Sequence, residues 1–102
     1  MANVSLRQAQ ANMLRRFRQT LDKASQDMLE SVKAKTPVET GETQAAWKLQ
    51  ADGDTRQIGN DMPHIRKLEF GGNGNTEHAM VRKTVLEASK IINRRAREAQ
   101  ND

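Results

Sequence analysis

The sequence predicts an α+β fold in which a long N-terminal helix, a small antiparallel β-hairpin and a C-terminal helix form one domain over residues 1–102. Three observations carry this. A stretch free of Gly and Pro runs from Ser5 to Lys35 with Leu14, Phe17, Leu21, Ala24, Met28 and Val32 at helical spacing. All six glycines and both prolines then fall between Pro37 and Asn75. A second such stretch, from Thr76 to Gln100, carries Val81, Val85, Ala88, Ile92, Ala96 and Ala99 at helical spacing. No strand-helix alternation is present that would build a parallel sheet.

The first helix is expected to start at Ser5, because Ser5-Leu6-Arg7-Gln8 matches a capping box in which the hydroxyl and the Gln8 amide satisfy free backbone donors. Pro37 disfavours helical geometry at Thr36 and so ends it, while Lys33 and Lys35 place positive charge where the dipole leaves free carbonyls. At about 1.5 Å per residue such a helix runs roughly 45 Å, long enough for part of it to project from so small a domain. Thr43–Ala51 reads as a strand, Asp52-Gly53-Asp54 as a turn, and Thr55–Asn60 as the returning strand of a hairpin. Pro63–Phe70 fits a short helix or a third strand equally, since Ile65, Leu68 and Phe70 do not decide the period. Gly71–Asn75 reads as a flexible loop able to cap the last helix, whose final turns carry Arg94, Arg95 and Arg97.

Composition limits how this fold is stabilised. The chain is 35% hydrophobic with three aromatic residues, Phe17, Trp47 and Phe70, and its mean hydropathy is -0.87. So little apolar surface offsets chain entropy only weakly. The absence of cysteine removes disulfides and thiolate metal sites, leaving assembly as the supplement expected at this size. No apolar run is long enough for a signal peptide or membrane span, so a soluble, unprocessed protein is expected and the Asn3-Val4-Ser5 glycosylation triplet carries no meaning.

Charge is distributed in blocks. Residues 1–35 hold seven basic and three acidic side chains, 36–77 four and seven, and 78–102 six and three. Basic helices thus flank an acidic middle, an arrangement that favours head-to-tail packing of copies. The Arg15-Arg16-Phe17-Arg18 and Arg94-Arg95-Ala96-Arg97 clusters suit phosphate contacts. Few stacking aromatics, no helix-turn-helix pattern and a net charge of only +4 argue against specific nucleic-acid recognition.

Nothing in the sequence assembles a nucleophile, a base and an orienting group, so no enzyme activity and no cofactor are expected. His64 with Glu69, and His78 with Glu77, match no common metal-ligand spacing and read as surface histidines. Glu39, Glu42, Asp52, Asp54 and Asp61 lie in turn-forming sequence, where carboxylates bond the backbone. Trp47 reads as a core anchor beneath the helices or as an interface hot spot.

Two segments carry a family resemblance. Thr36-Pro37-Val38-Glu39-Thr40-Gly41 follows the long helix and precedes Ala45-Ala46-Trp47. Glu69-Phe70-Gly71 precedes the last helix. In order and spacing the chain resembles the tail-component family of long-tailed bacteriophages, which includes tail-completion and head-tail joining proteins. It is shorter than many members and carries His64-Ile65 where an aromatic residue often stands. The motifs also make physical sense: Pro37 stops a helix, Thr40-Gly41 permits a tight turn with Glu39 or Thr40 bonding its backbone, and Gly71 lets the chain reverse after a core Phe70. Glu69 is expected to reach a basic group on a neighbour.

The resemblance implies a non-enzymatic subunit of a ring, commonly hexameric, located in the virion tail or neck and in the host cytoplasm during assembly. Its partners would be copies of itself, a tail-tube protein and head-side connector proteins, with DNA passing through the lumen without specific binding and no membrane involved. Trp47, Gly72, Asn73, Gly74, Arg94 and Arg95 are the candidate interface residues, and the hairpin with the Gly71–Asn75 loop is expected to touch partners beyond the ring. A small basic nucleic-acid-binding protein and a helical regulator of a host protein are the alternatives.

Overall fold

Helix α1 (Leu6–Ala34) is a single uninterrupted rod. The computed structural model describes residues 5–38, 41–72, 74 and 76–100. Ser5 caps α1 as its sequence predicts, its Oγ accepting the Gln8 N–H at 3.0 Å. After it come a one-turn helix α2 (Glu42–Ala45), strands β1 (Lys48–Asp52) and β2 (Thr55–Gly59), a short helix α3 (Ile65–Phe70) and helix α4 (Met80–Gln100). The fold is therefore the α+β arrangement expected: long helix, two-stranded antiparallel hairpin, closing helix.

The two long helices pack antiparallel, an orientation fixed by side chains that pair along their length. Asp27 meets Arg94 and Arg95, while Lys35 meets Thr84 and Glu87. Ala24 and Ile91 are buried in this seam. At the other end of the seam Leu29, Val32, Trp47 and Met80 form the core, with Leu49 and Ile58 of the hairpin and Ile65 and Leu68 of α3 packed round it. Strands β1 and β2 pair from Lys48 with Gly59 to Asp52 with Thr55. Gly53 holds φ +58° at the first position of the two-residue turn, the place a type II′ hairpin reserves for glycine.

Element boundaries differ in places from those the sequence predicts, and one choice it leaves open is decided. The strand expected over Thr43–Ala51 starts only at Lys48, because Gly41 at φ +78° turns the chain into α2, and Thr43 is buried there with its carbonyl accepting Asn60 Nδ2. The returning strand stops at Gly59, one residue short. Pro63–Phe70 resolves in favour of a helix. The final helix begins at Met80 instead of Thr76, since the N–H groups of His78 and Ala79 donate to the carbonyls of Leu68 and Glu69 and so tie this stretch to α3.

The molecule is elongated. Its extents are 70 × 23 × 19 Å and its radius of gyration is 17.8 Å, against about 13 Å for a compact domain of this length. The cause is α1, which continues past the end of α4: from Leu6 to Gln19 every side chain except Ala9 is exposed.

Candidate functional site

The residues of the first motif build a helix stop and a seat for Trp47. Thr36 is buried, and its hydroxyl donates to the Val32 carbonyl at 2.7 Å while accepting the Trp47 indole N–H at 2.8 Å. Gln44 Nε2 donates to the Lys33 carbonyl at 3.0 Å, which also accepts the Thr36 N–H at 3.1 Å. Pro37 is half-buried, Val38 is 64% exposed, and Gly41 supplies the left-handed turn into α2. The turn roles expected of Glu39 and Thr40 lie outside the described residues. Trp47 is only 4% exposed, so its place is in this chain's core and not on a free surface.

The second motif is a helix cap. Glu69, 6% exposed, accepts the Val81 N–H at 2.8 Å through Oε1 and the Arg82 N–H at 3.2 Å through Oε2. A carboxylate at the first turn of α4 satisfies free donors and complements the helix dipole. The Arg82 guanidinium closes the cluster, donating to Glu69 Oε2 and to the Glu69 carbonyl and pairing with Glu77 at 2.7 Å. Burial pushes the Glu69 carboxyl up, but the Val81 and Arg82 donors outweigh it and hold the group below the usual range. The neighbour expected for Glu69 is thus supplied by its own chain. Phe70 is not a core residue: it is 56% exposed and lies 4.6 Å under the Arg82 guanidinium, because Ile65 and Leu68 occupy the inward side of α3. Gly71, at φ +74°, ends α3. Trp47, seated by Thr36, lines one cleft with Glu69, Phe70 and Arg82.

The basic candidates separate into two kinds. Arg95 grips Asp27 through Nε at 2.6 Å and Nη2 at 2.8 Å, and Arg94 adds a contact at 3.1 Å. The Arg95 hydrogen bonds, reinforced by Arg94 against a partial burial, hold the Asp27 carboxyl below its usual value. These two arginines lock α4 to α1, although Arg94 keeps 59% of its side chain exposed. Gly72 and Gly74 are exposed, and Asn73 lies outside the described residues. Among the described residues no group of three His, Cys, Asp or Glu side chains could hold a metal ion, and no helix is long and apolar enough to cross a membrane.

An apolar surface continues along α1 and α4. Leu6 is 90% exposed, Met13 71% and Phe17 53%, and on α4 Val85 and Ile92 are open as well. Where the helices diverge they leave a groove of about 490 Å³ lined by Phe17, Leu21, Ala24, Ile92, Ala96 and Ala99. A second cleft shares Leu21 with it and continues past Met28 to Val85 and to Arg56 and Ile58 of β2. The helical stripe in the sequence was its signal, since that stripe outruns the sheet that could cover it. No protein-family model, curated protein or solved structure matches this chain.

Proposed function

We propose that this chain is a structural subunit of a tailed bacteriophage virion, which assembles as a ring that completes the tail or joins it to the head. The observation that carries this reading is the unpartnered apolar surface on a rod-shaped chain. A 29-residue helix exposes Leu6, Met13 and Phe17 beyond its own domain, and an open apolar groove runs beside it. Apolar side chains left open along a helix beside an apolar groove mark an interaction surface, and this reading assigns them to an assembly. The resemblance of Thr36–Gly41 and Glu69–Gly71 to the tail-component family names the kind of assembly. Both motifs act here as scaffold, stopping α1, seating Trp47 and capping α4, which suits a protein whose work is geometric. In a ring the interface is heterologous and closes on itself, leaving a lumen for DNA.

Light scattering across concentration on nuclease-treated protein, paired with negative-stain images, tests this. Closed rings of about six copies support the reading. A protein that stays monomeric even when mixed with tail tubes or connector particles overturns it. A second reading is favoured by one observation, the exposure of Arg7, Arg15 and Arg16 on α1. Those side chains suit a phosphate backbone, and the reading requires DNA binding that weakens steeply with salt.

A further inference from the structure

We infer that the N-terminal arm of α1, Leu6–Phe17, docks in the α1/α4 groove of the next copy, making a head-to-tail contact. This deepens the ring reading and rests on it only for the closure of successive contacts.

The arm needs a partner. Leu6 and Met13 stand 90% and 71% exposed on α1, and apolar side chains so placed mark a face that a neighbour covers. The groove also needs an occupant, and it cannot be the arm of the same chain. Leu21 and Ala24 form the α1 side of the groove and Phe17 its outer edge, where the arm continues the same helix, so it cannot fold back on itself. An arm that enters it comes from another copy.

The spacing of apolar residues agrees on both sides. Leu6 and Met13 stand seven residues apart on the arm, as do Leu21 and Met28 on the α1 side of the groove and its adjoining cleft and Val85 and Ile92 on their α4 side. Seven residues are two helical turns, about 10.5 Å, so successive knobs can seat in successive holes. Charge agrees as well. The arm has Arg7, Arg15 and Arg16 and no acid before Asp22. The hairpin, which walls the adjoining second cleft, turns at Asp52 and Asp54; Asp54 pairs with Arg18 at 2.7 Å and Asp22 on α1 with Arg56 at 2.6 Å. Asp54 and Asp22 keep 52% and 60% of their side chains exposed, so they can attract an incoming arginine as well as their own.

The chain has no cysteine, so Met13→Cys and Ile92→Cys introduce single thiols at exposed sites on the arm and in the groove. The two variants are mixed and treated with a short bismaleimide. A covalent dimer formed several-fold above a Met13→Cys and Lys90→Cys mixture is the expected result, Lys90 being exposed on α4 outside the groove. Dimers from Met13→Cys alone would show arms paired about a two-fold axis and overturn the inference. A protein that links nothing above the control also overturns it, and if that protein still forms rings, the ring reading survives. The double variant separates the other case: a ladder ending at a fixed ring size supports both, whereas an open-ended ladder keeps the arm-in-groove contact and overturns the ring.

Discussion

Thr36 and Trp47, eleven residues apart, are joined by a 2.8 Å hydrogen bond that ties the end of the long helix to the start of the hairpin. Trp47 is the only tryptophan, and both partners are buried. Thr36→Val keeps the shape and removes the acceptor, leaving the indole N–H unsatisfied at a cost of about 1–3 kcal/mol. Urea unfolding followed by Trp47 fluorescence should show that loss, and Thr36→Ser, which restores a hydroxyl, should recover most of it. Equal stability in the two variants would mean that the hydroxyl does not hold the indole.

Glu69 gives the fold a pH dependence. Its carboxyl is held below its ordinary 4.5 in the folded chain, so the unfolded chain binds more protons as the pH falls. The stabilisation is complete above the ordinary value and is lost as pH falls through the lower folded one. Asp27, lowered from 3.8 by Arg95 and Arg94, acts in the same direction. Glu69→Gln should cost about 2 kcal/mol at neutral pH and progressively less below about pH 4.5, measured as urea midpoints over a pH series. A cost that stays constant down to pH 3 would remove the carboxylate from the account.

Ala79 holds φ +47°, the one positive φ at a non-glycine among the described residues. Its N–H donates to the Glu69 carbonyl at 3.0 Å, which keeps it there just before α4. A Cβ costs about 1–2 kcal/mol in this region, while glycine loses about 0.5–1 kcal/mol more on folding, so Ala79→Gly should stabilise the chain by up to about 1 kcal/mol. A lowered thermal midpoint would contradict this.

The long helices were legible because their apolar stripes persist for many turns, and Ser5 marks the first start by a purely local rule. The hairpin was legible through Gly53. Local patterns could not show that Thr43 begins a helical turn, because Asn60, seventeen residues on, fixes it there. Nor could they show that Phe70 faces outward while Glu69 faces in. That reversal depends on Val81 and Arg82, which reach α3 only once α4 has docked. The Asp27 pairing with Arg95 spans 68 positions and follows from the antiparallel helix packing, not from either segment alone. The arm was partly legible, since a helix longer than its sheet must end uncovered.

That arm supplies a prediction that separates folding from assembly. Leu6 and Met13 are 90% and 71% exposed and touch nothing in the core cluster, so replacing both with serine should move the Trp47 unfolding midpoint of the isolated chain by no more than about 0.5 kcal/mol. Serine does lower helix propensity, so the arm itself will lose some helix by circular dichroism without disturbing the core. Assembly should respond differently, because those two side chains supply half the apolar knobs the arm offers. Light scattering should show the double variant as a monomer at concentrations where the unaltered chain is assembled. If the variant assembles normally, the arm is not an assembly element, and the apolar surface that holds copies together must lie on α4 around Val85, Leu86 and Ile92 instead.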